Sequence, residues 1–97
     1  MNSRYLVRLK TPEELSESNW IMTPDGYFKY DGNNRDYKNP PITPEMYPLL
    51  GKIIIIEDDG RSIFQYAYKD SEEIFYYISE DMISEHLDFE DYPEYLI

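Results

Sequence analysis

Four consecutive isoleucines, Ile53 to Ile56, constrain this chain more than any other feature. In a β-strand successive side chains point to opposite faces, so the run places bulky β-branched groups on both sides of its sheet. Both sides must then be covered, which excludes a sheet with a bare back. The run is also far too short to span a bilayer. Around it, short β-rich stretches alternate with turn signals. RYLVRLK at 4–10 predicts a strand, and three more are predicted at 52–57, about 62–68 and 74–78. Turns at Asp58-Asp59-Gly60 and around Asp70-Ser71 join the last three into a meander. A length of 97 residues fits one domain with a modest core. The folded core is expected over 4–87, with an acidic, aromatic arm over 88–97.

The intervening segments supply short helical turns and loops. After the first strand, Thr11 can cap, Pro12 suits the first helical position and Glu14 completes a capping box. WIMTPDGYFKY reads as two short extended pieces around the turn Pro24-Asp25-Gly26. DGNNRDYKNPP, 31–41, has no periodicity and predicts an exposed loop. Its acids lack the ligand alternation and late glutamate of an EF-hand, so it predicts no metal site. Thr43-Pro44-Glu45 starts a second turn that Pro48 cuts short. Ser79 is a natural cap for EDMISEHL, predicting a short helix that turns Met82, Ile83 and Leu87 inward. The fold class expected is mainly β with short helices, in the α+β sense. Four or five short antiparallel strands bury their apolar faces best by curling into a small barrel. An open sheet with a helix on one face is the rival arrangement.

Charge is divided sharply along the chain. Residues 1–56 balance to zero, whereas 70–97 carry ten carboxylates and no Lys or Arg, nearly all of the net charge of −11. Such a surface repels nucleic acid and favours a basic protein partner through long-range attraction. Aromatics make up 16% of the chain, so this is not the composition of a disordered acidic tail. Without cysteine there are no disulfides or thiolate metal sites. No secretory n-region or long apolar run is present, and an untargeted cytoplasmic protein is expected.

The order of pieces resembles a layout in small phage-encoded accessory proteins. The residues that carry the resemblance are LVRLKTPEEL near the start, EMYPLLGKIIIIE, and FYYISEDMI. Within these, Met46, Gly51 and Lys52 match a segment that precedes a hydrophobic strand. Phe75, Tyr76, Tyr77, Ile78, Asp81, Met82 and Ile83 match an aromatic strand running into a short turn. The resemblance spans 4–10 and 45–84 and implies a small barrel resembling the SH3 fold, in the host cytoplasm, with no inherited catalytic residue. It also implies an inhibitor of host restriction, CRISPR or other DNA-handling machinery.

Catalytic chemistry finds few parts. There is one histidine, His86, no cysteine, and no Gly-x-Ser-x-Gly elbow. The four glycines never approach a phosphate-cradling spacing. The sequence predicts no enzyme and no cofactor. The leading expectation is a partner-binding surface made of Glu80, Asp81, Glu85, Asp88, Glu90, Asp91, Tyr92, Glu94 and Tyr95. In a helix, Asp81 and Glu85 would rise ~5 to 6 Å apart, comparable to the ~7 Å between phosphates along a strand, so the acids could mimic DNA. A second expectation is a general interaction module. Its partner would meet a tyrosine-rich face or the loop bearing Tyr30, Arg35 and Tyr37, and the acids would serve solubility. Tyr- and Ile-rich strand edges also offer a homodimer a place to pair.

Overall fold

The computed structural model describes residues 3–58, 65–69 and 75–96. Two antiparallel sheets, with short helical turns between them, make a mostly β, α+β-like domain. Strands β1 (Ser3–Leu9), β5 (Ile53–Asp58), β6 (Gln65–Lys69), β7 (Phe75–Ser79) and β8 (Ile83–Leu87) form one sheet in the order β7-β6-β5-β1-β8. The second sheet is a three-stranded hairpin of β2 (Trp20–Thr23), β3 (Gly26–Asp31) and β4 (Asn34–Arg35). The meander of β5, β6 and β7 is present as expected, and its turns at Asp59-Gly60 and Asp70-Ser71 lie outside the described residues. Strands β7 and β8 are the two edges of the larger sheet, so it is open and not a closed barrel. Among the described residues eight strands replace the four or five expected, because the segment between β1 and β5 builds a sheet of its own and residues 83–87 add an edge strand.

The isoleucine run behaves as its alternation requires. Ile54 and Ile56 face inward with Val7, Leu9 and Ile78, and meet Leu15, Trp20, Tyr27, Ile42, Met46, Met82 and Ile83 in one core. Ile53 and Ile55 face the other way and are half-buried. On that outer face Leu6 lies opposite both Ile55 and Leu87. Leu6 is only 1% exposed although it lies outside the inner core, and it lines a hollow with Leu87 and Phe89. The C-terminal arm forms two 3-10 turns, Phe89–Asp91 and Pro93–Tyr95, and the first of them brings Phe89 beside β1. It supplies cover on the outer face.

Helix α1 (Pro12–Glu17) forms at its capping box. Thr11 Oγ1 accepts from the Glu14 backbone N–H at 3.2 Å, and Glu14 Oε1 accepts from the Thr11 N–H at 3.0 Å. Asn19, with φ 67°, ends it in the left-handed conformation that Asn tolerates. The other oxygen of Glu14 accepts from Ser84 Oγ at 3.1 Å, tying α1 to β8. These bonds, the Thr11 N–H first and Ser84 second, hold the Glu14 carboxyl below the ordinary glutamate value of 4.5. A lowered value means the charged form is favoured by folding, so its contribution is present at neutral pH and lost as pH falls through the folded value. Glu14→Gln is expected to be less stable than the parent at pH 7, with the gap closing under acid. Parallel urea titrations at pH 7 and pH 3 measure it, and a gap independent of pH would contradict this role.

Two local expectations are corrected. The helix expected over 80–87 is a single 3-10 turn, Glu80–Met82, followed by strand β8. Ser79 does not cap it, because its hydroxyl donates to Asn39 Oδ1 at 2.6 Å. The free edge of β1 then takes residues 83–87 into the sheet, with Arg8 opposite Glu85 and Leu9 opposite Ile83. Nor is 31–41 a plain loop. Gly32, with φ 61°, leads a two-residue turn that pairs Asp31 with Asn34 and Tyr30 with Arg35, and Asn39 is buried at 7% exposure.

Candidate partner-binding surface

The expected acidic surface divides into acids used internally and acids left outward. Glu80 pairs with His86 Nε2, whose ring sits edge-on to Tyr5 at 6.2 Å. Asp81 Oδ2 accepts from Asn39 Nδ2 at 2.9 Å. Glu85 meets Arg8 Nε at 3.1 Å on the outer face, and Asp88 caps the turn 89–91 by accepting from the Glu90 N–H at 2.9 Å. The helical row of Asp81 and Glu85 is thereby corrected. A turn-to-strand boundary separates the two, and each carboxylate is directed to a different partner. His86 is likewise on a strand and not on a last helical turn.

Glu90, Asp91 and Glu94 are exposed and carry no ion pair among the described residues. They ride on an arm held at several points. Phe89 meets the Leu6 hollow, and Tyr92 lies by Arg8 and stacks edge-on with Tyr95 at 6.4 Å. The hydrogen bond to Glu85 raises the Arg8 guanidinium above its ordinary value, and Tyr92 adds a smaller push. Tyr92 and Tyr95 are half-buried, so they anchor the arm more than they face a partner, whereas Leu96 is 60% exposed.

A second feature went unseen in the sequence. Asn39 links two carboxylates and a hydroxyl: its Nδ2 donates to Asp36 Oδ2 at 3.1 Å and to Asp81 Oδ2, while Ser79 donates to its Oδ1. The group lines a hollow of about 620 Å³ together with Lys38 and Glu80. Because the Asp36 and Asp81 carboxylates accept from one amide nitrogen, the arrangement is a brace between the 36–39 segment and the turn after β7. No cluster of three or more metal-ligating side chains occurs among the described residues. Nothing in YKNPP signals that its Asn is buried, since Asn before Pro reads as a turn residue.

The hairpin carries a third feature. The Arg35 guanidinium carbon lies 4.3 Å from the Phe28 ring centroid and 4.6 Å from that of Tyr37. A recognised turn at Gly32 would have placed Arg35 beside Tyr30 and exposed this pairing in the sequence. No helix among the described residues is long and apolar enough to cross a membrane. No protein-family model, curated protein or solved structure matches the chain.

Proposed function

We propose that this chain is a non-enzymatic binding domain of the phage accessory type, and that its acidic C-terminal surface engages the basic face of a host nucleic-acid-handling or defence protein. The observation that carries the reading is the set Glu90, Asp91 and Glu94, outward-facing on an arm fastened to β1, in a stretch without one Lys or Arg after residue 69. A fastened arm presents its carboxylates with less ordering entropy to lose on binding than a free tail would have. Charge of one sign steers a basic partner toward it and speeds encounter. The fold reading is an opened relative of an SH3-like barrel. It is supported by the return of β8 to the far side of β1 after a single 3-10 turn.

The inhibitor competes with nucleic acid in this reading, because both would occupy the same basic channel. Bound partner is expected to be displaced by excess duplex DNA or RNA, and binding is expected to weaken steeply with salt. Elution of immobilised complex with a DNA duplex measures the competition. A complex that forms equally in the presence of saturating DNA and RNA would sink the proposal.

A further inference from the structure

The outer face of the β2-β3-β4 hairpin brings together Ile21, Phe28, Tyr30, Arg35 and Tyr37. The register fixes this grouping, since Ile21 lies opposite Phe28, Tyr30 lies opposite Arg35, and alternate residues of β3 share a face. Two of these groups are strongly exposed, Ile21 at 49% and Tyr37 at 80%. The cation among them is unusual in its surroundings. The chain has 20 acids to 9 Lys and Arg, yet Arg35 has no carboxylate partner among the described residues. The adjacent Asp36 is committed elsewhere, accepting from the Lys38 N–H at 2.9 Å and from Asn39. Arg4 and Arg8, in contrast, both meet glutamates.

Stacking on aromatic rings uses the faces of a planar guanidinium and leaves its edge N–H donors to bind, in a fork that matches a carboxylate. Held over Phe28 and Tyr37, the Arg35 side chain has already lost much of the freedom that binding would otherwise cost. We infer that this face is a docking site for a short segment of a partner protein in which one carboxylate side chain is flanked by apolar residues. The carboxylate is received by Arg35, and the apolar neighbours lie on Ile21, Phe28 and the Tyr37 ring. A net charge of −11 disfavours a polyanion such as RNA on the same face, whereas a single carboxylate with apolar neighbours meets a local positive charge. The site is independent of the acidic arm and stands whether or not the arm binds.

The test uses the full chain and two displayed libraries of twelve-residue peptides. One has a central Glu and the other a central Gln, with the flanking positions randomised among apolar and neutral residues. On the parent chain the Glu library is expected to enrich at least tenfold over the Gln library. Selected peptides are expected to shift the NMR signals of Ile21, Phe28 and Tyr37. Arg35→Gln and Arg35→Lys should lose the enrichment, the second because it keeps charge without the planar fork. Tyr37→Ala should weaken binding severalfold and Tyr37→Phe should not. Thermal melts of the variants against the parent confirm that they fold, and Tyr37, being so exposed, provides the arm least dependent on folding. Equal enrichment of both libraries, binding unchanged in both Arg35 variants, or shifts confined to other surfaces would overturn the inference. So would occupation of this face by an RNA hexamer or by a second copy of the chain in place of the peptides.

Discussion

Gly26→Ala is expected to destabilise the domain by about 3–5 kcal/mol, the sum of backbone strain and a steric clash. A Cβ at Gly26 would sit 2.2 Å from the Ile42 carbonyl oxygen, and the position has φ +133°, which L side chains rarely adopt. Neither neighbour can yield cheaply. The Ile42 carbonyl accepts from the Tyr27 N–H at 2.9 Å, and the Ile42 N–H donates to the Tyr27 carbonyl at 2.9 Å. Moving this strand aside would break the bridge that seats Ile42 and Tyr27 in the core. For a domain of this size the loss corresponds to a fall in Tm of roughly 15–30 °C. Gly32→Ala is the control, because nothing lies within 4 Å of its added Cβ and only the positive φ of 61° is strained. Its cost is expected near 1 kcal/mol. Equal melting temperatures for the two variants would contradict the close approach at Gly26.

Asn39→Ala is expected to cost about 1–3 kcal/mol, because it strands the buried Ser79 hydroxyl instead of merely deleting a bond. Ser79 is 2% exposed and would lose the acceptor for its hydroxyl, and Asp36 and Asp81 would lose the donor they share. Asn39→Asp should be worse at neutral pH, since it sets a third carboxylate against the other two. Folding would then favour the protonated form. The damage from Asn39→Asp should therefore shrink as pH falls through the carboxylate range, while that from Asn39→Ala should not recover in the same way. Urea midpoints of both variants between pH 7 and pH 4 read this out. Parallel pH profiles for the two would contradict the brace.

Much of the fold was legible where local chemistry and tertiary packing agree. Thr11, Pro12 and Glu14 announce α1, Gly26 announces the hairpin turn, and the isoleucine run demands cover on both faces, which the arm contributes beside Leu6. The errors arose where a distant partner overrides a local signal. Ser79 looks like a cap only until Asn39, forty residues away in sequence, claims its hydroxyl. Residues 83–87 look helical until the open edge of β1 recruits them, and that edge exists only once the sheet has formed. The acidic surface was legible as composition and not as geometry. Counting charges cannot separate Asp81 and Glu85, bound to Asn39 and Arg8, from Glu90, Asp91 and Glu94, which face outward.

That separation defines the most direct measurement. Glu90, Asp91 and Glu94 can be changed together to Lys without removing the cap at Asp88, the Arg8–Glu85 pair or the Asn39 brace. The parent and this triple variant would be used side by side to capture proteins from bacterial lysate at low and high salt, with a thermal melt confirming that the variant folds. The parent is expected to retain basic nucleic-acid-handling proteins at low salt, and the triple variant is expected to lose them. The same proteins retained by both chains, at either salt, would contradict that expectation.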